Sequence, residues 1–463
     1  MINTLLNRQL RVTSGRGAVQ AGSSQNFGQG GVCGALVGAA ACVASCLPAE
    51  ANGIYRNGAG ARSMGVAGAD IAWAEGPLGA LGANPAGFGQ LTEPTLELGV
   101  AGVRADGRFS NRANPRAELG EWGMLPEAAF GTPIGQTPFS LHLGVTPEAA
   151  LSANWNYFDT PGGADGGTSY GWQTHRSDIL VLRTAAGLGL KMGEQLTFGI
   201  DAGLVYNENK LQSPYIFQSH PGLRTVKTLL DLETSGYGFD GRFGGLWRPH
   251  EDWQFGVSYK LPTRIRTDGN ASGNASEQLN RLGLAWRPDF YYDAEVITNF
   301  PQTVGAGAAW KAHERLRLLG QVDWLNWSSA YESLEVNLSN GNNPDLPASF
   351  QDDIPFKWED RFVFRGGLEF QATPKLDLRL GYSYGKSPVP DETLTPMTAA
   401  IMEHTVAAGM GWRWGRYEFD LAYQWNPPTH RSVGQSGLAA GEYNGGSYRL
   451  GLHWLALSTA VRF

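Results

Sequence analysis

Several stretches of this chain alternate aromatic or aliphatic residues with polar residues or glycine at strict period two. Tyr417, Phe419, Leu421, Tyr423 and Trp425 interleave with Glu418, Asp420, Ala422 and Gln424. Leu376, Leu378, Leu380, Tyr382 and Tyr384 interleave with Asp377, Arg379, Gly381 and Ser383. Trp253, Phe255, Val257 and Tyr259 interleave with Gln254, Gly256, Ser258 and Lys260, and Tyr237, Phe239, Phe243 and Trp247 share a face opposite Asp240 and Arg242. Successive side chains of a strand point to opposite faces of a sheet, so each segment has one greasy and one polar face. A soluble sandwich buries its apolar face and wets the other. Here the rings crowd the strand ends, as in the aromatic girdles at the two interfaces of a membrane barrel.

The segment from Tyr448 to Phe463 strengthens this reading. Phe463, Val461, Thr459, Leu457 and Leu455 line one face; Arg462, Ala460, Ser458, Ala456 and Trp454 line the other. About ten tilted strand residues cross a bilayer. A chain stopping on a phenylalanine after such a strand resembles bacterial outer-membrane barrels, which implies recognition of Phe463 by the barrel-assembly machinery. The composition agrees. Glycine is abundant at 63 residues and only 17% of residues are charged, yet mean hydropathy is negative. The body of the chain holds no run of the roughly 18 apolar residues that a membrane helix needs.

The N-terminus reads as an export signal. Arg8, Arg11 and Arg16 precede an apolar run from Val32 to Leu47, and Ala49-Glu50-Ala51 offers a small-x-small cleavage site. Residues 1–51 are therefore expected to be removed, leaving Asn52 first. Cys33, Cys42 and Cys46, the three cysteines of the chain, fall within the leader, so the mature protein is expected to hold no disulfide. Cys46 also closes a lipobox-like Val43-Ala44-Ser45-Cys46, the mark of the alternative lipoprotein reading. Loss of the leader makes the chain more acidic than the net −7 of the whole. With no basic tract, a nucleic-acid partner is not expected.

Fourteen strands are expected, near 94–105, 123–132, 138–156, 177–191, 195–210, 229–247, 252–266, 290–311, 315–336, 360–372, 375–386, 403–414, 416–426 and 447–463. Their connections alternate short, as at Thr373-Pro374, and long, as over 427–446. Outer-membrane barrels sort their loops this way, with tight periplasmic turns and long outer loops. Closure would also remove the sheet edges that lipid cannot satisfy. The fold class is thus an all-β antiparallel barrel over 94–463. Residues 52–93 are rich in glycine and alanine, read as no strand, and suit a plug folded in the lumen.

At Gly58 to Phe88 (GAGARSMGVAGADIAWAEGPLGALGANPAGF) the chain resembles the N-terminal hatch of the FadL/TodX family of outer-membrane transporters. Asn84-Pro85-Ala86 stands where that family has its Asn-Pro-Ala motif. Gln321-Val322-Asp323-Trp324-Leu325-Asn326-Trp327-Ser328 is similar to its strand ending in Trp-Ser, and Ser387-Pro388-Val389-Pro390 to its Ser-Pro-Val-Pro signature. The resemblance implies a monomeric, plugged barrel of fourteen strands in the outer membrane. It implies passive uptake of long-chain fatty acids or aromatic hydrocarbons, with no cofactor and no metal. The route implied runs from a loop-lined groove, across the lipopolysaccharide layer, to the lumen, then sideways into membrane lipid near Asn84, Pro85 and Ala86.

Particular residues fit such a route. A sideways exit needs a break in the strand ladder; proline removes a donor and glycine weakens a strand. Gly144, Thr146 and Pro147 in the third strand place both together. Tyr215, Ile216 and Phe217, with Leu394, Met397, Ile401 and Met402, are apolar residues in long loops and suit an outer groove. Lys210, Arg183, Arg242 and Arg365 are candidate lumen partners for a carboxylate. Glu208 and Glu359 stand where the resemblance leads one to expect basic residues, which would favour neutral hydrocarbons. An enzyme is not expected: the eight histidines form no His-Glu-x-x-His pair and no Gly-x-Ser-x-Gly elbow is present. An open porin is disfavoured by the forty-residue plug.

Overall fold

The computed structural model describes residues 53–463. The expected leader 1–51, its cysteines and the start at Asn52 lie outside the described residues. The strands, numbered in chain order, form one antiparallel sheet that closes on itself. The ring runs β1 (Thr95–Ser110), β2 (Ala117–Pro133), β3 (Phe139–Phe158), β4 (Trp172–Met192), β5 (Leu196–Ile216), β6 (Lys227–His250) and β7 (Trp253–Lys260). It continues through β10 (Thr303–His313), β11 (Leu316–Leu325), β14 (Arg361–Thr373), β15 (Leu376–Gly385), β16 (His404–Trp414), β17 (Tyr417–Ser432) and β18 (Ser447–Arg462). β18 then pairs with β1, setting Thr95 opposite Arg462. These are the fourteen strands expected.

The greasy faces point outward. Trp253, Phe255 and Val257 on β7, Phe362 and Phe364 on β14, and Leu455 and Leu457 on β18 are exposed. Their polar neighbours Gln254, Lys260, Glu369, Arg379, Asp420 and Gln424 are buried inside. A water-soluble barrel would show the opposite arrangement. Closure pairs the two edge strands of the sheet, β1 and β18, with each other, which a hydrocarbon surround requires. Among the described residues no helix is long and apolar enough to cross a membrane.

Four further strands extend the wall. β8 (Thr263–Asn274), β9 (Asp289–Phe300), β12 (Ser333–Ser339) and β13 (Phe350–Pro355) continue the wall outward from β7, β10, β11 and β14 in the same order. β9 and the start of β12 fall within the expected strands 290–311 and 315–336, which are interrupted, while β8 beyond 266 and β13 were not expected. The exposed side chains of the four are mostly polar, among them Arg264, Arg266, Asp268, Asn270 and Asp293. A ladder needs hydrogen bonds, not lipid, and here it runs on above the membrane with a wet face.

The segment 53–91 lies inside the ring. Helices α1 (Gly60–Gly65) and α2 (Pro77–Gly82) precede a 3₁₀ turn over Pro85–Gln90. Neither helix caps itself; the barrel does it. Glu127 of β2 accepts from the Gly60 amide at 2.8 Å and Glu97 of β1 from the Leu78 amide at 3.0 Å. Carboxylates satisfy orphan donors and suit the positive end of a helix. The wall yields space in return: a Cβ on Gly199 would stand 2.2 Å from the Pro85 carbonyl carbon.

Candidate functional site

The β2–β3 ladder stops early. Ala128 to Pro133 pair with Val145 to Ser140, and nothing beyond Val145 pairs with β2. The same register would set Pro126 opposite Pro147. Neither proline has an N–H, so the ladder has no donor from either at that point. β3 keeps its pairing with β4, through a bulge between Pro147 and Ala149. Past the stop both faces of β3 are buried, from Thr146 to Ala150. The wall therefore has a gap bounded by Glu127 on one edge and Glu148 on the other. The expected break at Gly144, Thr146 and Pro147 lies at this position; Pro126, which doubles the proline, was not singled out from the sequence.

A cavity of about 160 Å³ opens beside the gap. Thr146, Pro147 and Glu148 line it from β3, Arg242 and Lys260 from β6 and β7, Asp323 and Arg365 from β11 and β14, and Tyr55 and Arg56 from the inner segment. The cations come in partnered sets. Glu148 accepts from both Arg242 and Lys260, which ties the inward run of β3 to the facing wall. Arg242 also donates to the Leu81 and Gly82 carbonyls at 2.7 Å, and Arg365 to Asp323 at 2.8 Å. Arg183, fully buried, is absorbed by Asp201 and Asp240 and is not among the residues lining this cavity.

A second cavity of about 140 Å³ lies at the long-loop end. Its lining is mostly apolar: Leu211, Tyr215, Ile216, Leu232, Val296, Leu334, Ile354, Phe356 and Met397. Of the expected groove residues, Tyr215, Ile216 and Met397 meet here. Phe217 instead packs on Phe350, 5.5 Å between centroids. Leu394, Ile401 and Met402 are buried in the general core. Between the two cavities stands an aromatic cluster. Tyr55 touches Trp327 at 5.3 Å, Trp327 touches Tyr331 at 5.4 Å and Trp358 at 4.9 Å. Tyr55 lines the inner cavity and Tyr331 the outer one.

Other expected residues stand elsewhere. Asn84, Pro85 and Ala86 are buried and line neither cavity. The Asn84 amide donates to the Ile71, Gly245 and Val257 carbonyls at 2.8, 3.3 and 3.2 Å, riveting the segment to β6 and β7. Glu208 and Lys210 share strand parity with exposed Leu204 and with Tyr206. Lys210 pairs with Glu208 at 2.9 Å and with exposed Glu233 at 2.7 Å, and it lines the outer cavity rather than the inner one. Glu359 is exposed and pairs with Arg361. Neither glutamate lines the lumen cavity, so the acidic-lumen argument for neutral ligands loses its footing. Arg242 and Arg365 do face the lumen. Arg56, Glu127, Glu148 and Lys260 were not foreseen as site residues. Only the parity of Lys260, opposite Trp253 to Tyr259, marked it as inward.

A closed fourteen-stranded barrel, greasy outside and plugged within, defines an outer-membrane channel protein. Residues 40–446 match the family model described as outer membrane protein transport protein (OMPP1/FadL/TodX), and the chain belongs to that family, a family of transporters for hydrophobic compounds rather than of enzymes. Among solved structures it is similar to a Pseudomonas aeruginosa FadL homologue (15% identity, 89% of this chain and 100% of that one, TM-score 0.71). It is also similar to the P. putida toluene transporter TodX (17%, 88% and 99%, 0.69) and the Ralstonia pickettii toluene transporter TbuX (19%, 88% and 99%, 0.65). At these identities the likeness establishes the fold. No curated protein matches the sequence.

Proposed function

We propose that this chain carries long-chain fatty acids passively across the outer membrane and releases them sideways into membrane lipid. The observation that carries the reading is a succession: an apolar outer cavity, an aromatic cluster, a cation-lined inner cavity and a gap in the wall. Each methylene moved out of water gains about 0.8 kcal/mol, so the outer cavity suits an acyl tail. A carboxylate in a low-dielectric lumen needs cationic donors, and Arg56, Arg242, Lys260 and Arg365 supply them. A neutral hydrocarbon gains nothing from that charged lining. The division of labour is a leader over 1–51, a hatch over 52–93 and a barrel over 94–463, working as a monomer.

A second reading has one specific support. The outer cavity is close to the roughly 150 Å³ that holds a benzene ring, so a monoaromatic compound would fit without rearrangement. The test is side-by-side uptake of labelled oleate and labelled toluene by cells lacking their own transporter and expressing this chain. Oleate uptake sustains the proposal. Toluene uptake alone moves the substrate to the aromatic class, and neither, with a folded barrel, removes the transport reading.

A further inference from the structure

The gap between β2 and β3 is not empty along its inner side. Tyr55 of the hatch forms an antiparallel bridge with Ala149, and the Arg56 amide donates to the Glu148 carbonyl at 3.3 Å. The hatch thus occupies the β3 edge that β2 leaves vacant. The Arg56 side chain reaches the opposite edge: its Nη2 donates to Glu127 Oε2 at 2.9 Å and to the Gly58 carbonyl at 3.0 Å. One residue therefore holds both margins of the gap. We infer that Arg56 is a clasp across the lateral opening, released when a ligand's anionic head group enters the inner cavity and takes its guanidinium.

Two observations support release as well as closure. The ion pair is dry, with Arg56 and Glu127 side chains 5% and 0% exposed, so it is not weakened by solvent as surface pairs are. Yet the guanidinium is only partly used. Among the described residues, its buried Nε and Nη1 have no hydrogen-bond partner, and Arg56 lines the inner cavity. Buried donors left unsatisfied are costly, and a carboxylate offers two oxygens in the geometry of the arginine fork. A second carboxylate on the same cation also repels Glu127. The pull on the β2 margin falls when a head group binds, and the gap is freed. An ester or hydrocarbon of equal length cannot make that exchange.

This inference rests on the lateral-release reading, and the test separates the two. Uptake of oleate and of methyl oleate is compared in the unaltered chain, Arg56→Gln, Arg56→Lys and Pro147→Val. Amide exchange over 53–57 is measured in the unaltered chain, Arg56→Gln and Glu127→Gln, with folding checked by heat-modifiable migration. The clasp predicts that the unaltered chain prefers the acid. In Arg56→Gln, ester uptake rises and the acid-to-ester ratio drops about tenfold, the scale of one charge-assisted hydrogen bond. Arg56→Lys keeps most of the preference, and Glu127→Gln speeds exchange over 53–57. An unchanged ratio and unchanged exchange in the glutamine variants, with Pro147→Val blocking uptake, overturns the clasp and leaves lateral release standing. Full oleate uptake by Pro147→Val overturns lateral release and the clasp with it.

Discussion

Two of the places where the wall loses its ladder differ in kind. At β2–β3 pairing ends for good after Val145 and β3 runs inward. Between β7 and β8, and between β9 and β10, it pauses for Leu261-Pro262 and Pro301-Gln302, then resumes with the same neighbours. Proline stands at both interruptions, so proline alone does not make an opening. The residues just after the proline decide the outcome. Beyond Pro262 the strand alternates buried residues with exposed charged ones from Thr263 to Asp268, and the outer sheet buries Ala271, Phe290, Tyr292 and Val296 in a core of its own. Beyond Pro147 come Glu148, Ala149 and Ala150, small or charged residues that find partners in the lumen. The second pause is also stitched. Gln302 donates to Asn326 at 3.0 Å and accepts from the Tyr259 hydroxyl at 2.9 Å, while Trp327 fills the space behind.

If only the first interruption is an exit, repairing the two has unequal effects. Pro147→Val lets the ladder donate again and is expected to cut uptake about tenfold or more in a folded barrel; equal transport would erase the distinction between the two breaks. Trp327→Ala addresses the second. Removing a fully buried ring is expected to cost about 3–5 kcal/mol, read as a lower denaturant midpoint. A negligible loss would mean the aromatic cluster does not hold that region together.

The outer mouth supplies a milder test. Lys227, fully buried, donates to Asp159 at 2.6 Å and stands 3.8 Å from Glu442. Burial raises Glu442 from the ordinary 4.5 to about 7, more than the attraction of a cation shared with Asp159 can offset. An acid raised in the folded state favours folding below its unfolded value, and that favour is lost as pH rises through its folded value. Amide protection of the 433–446 connection is therefore expected to fall between about pH 4.5 and 7 and to become pH-independent in Glu442→Gln. A flat profile in the unaltered chain would remove the shared-cation account. The smallest effect is expected from Pro262→Thr. At an exposed site where the ladder resumes anyway, stability changes by within about 0.5 kcal/mol and uptake is unaltered. Impaired uptake there would make the second interruption part of the route.

Much of the barrel was legible because its signal is local. Period two places Trp253, Phe255 and Val257 on one face whatever the rest of the chain does, and short turns such as the one expected at Thr373-Pro374 fix the neighbours. Parity could also have placed Glu208 outside, since it continues Leu204 and Tyr206; the resemblance drew attention to its charge and away from its phase. The strand ends were misjudged where polar residues prolong β8 past 266 and where β13 forms, because a hydrogen-bonded ladder does not stop where lipid does.

The sequence by itself determined the antiparallel barrel, its fourteen crossings, the face that meets lipid and the proline at the break. The tertiary structure alone decided which charges meet. Glu148 finds Arg242 and Lys260 across 94 and 112 residues, and Arg56 finds Glu127 across 71. Alternation tells which side of the wall a residue faces, but not what stands opposite once the ring closes around a plug. The distances across the lumen are set by closure, and the chemistry of the site depends on those distances.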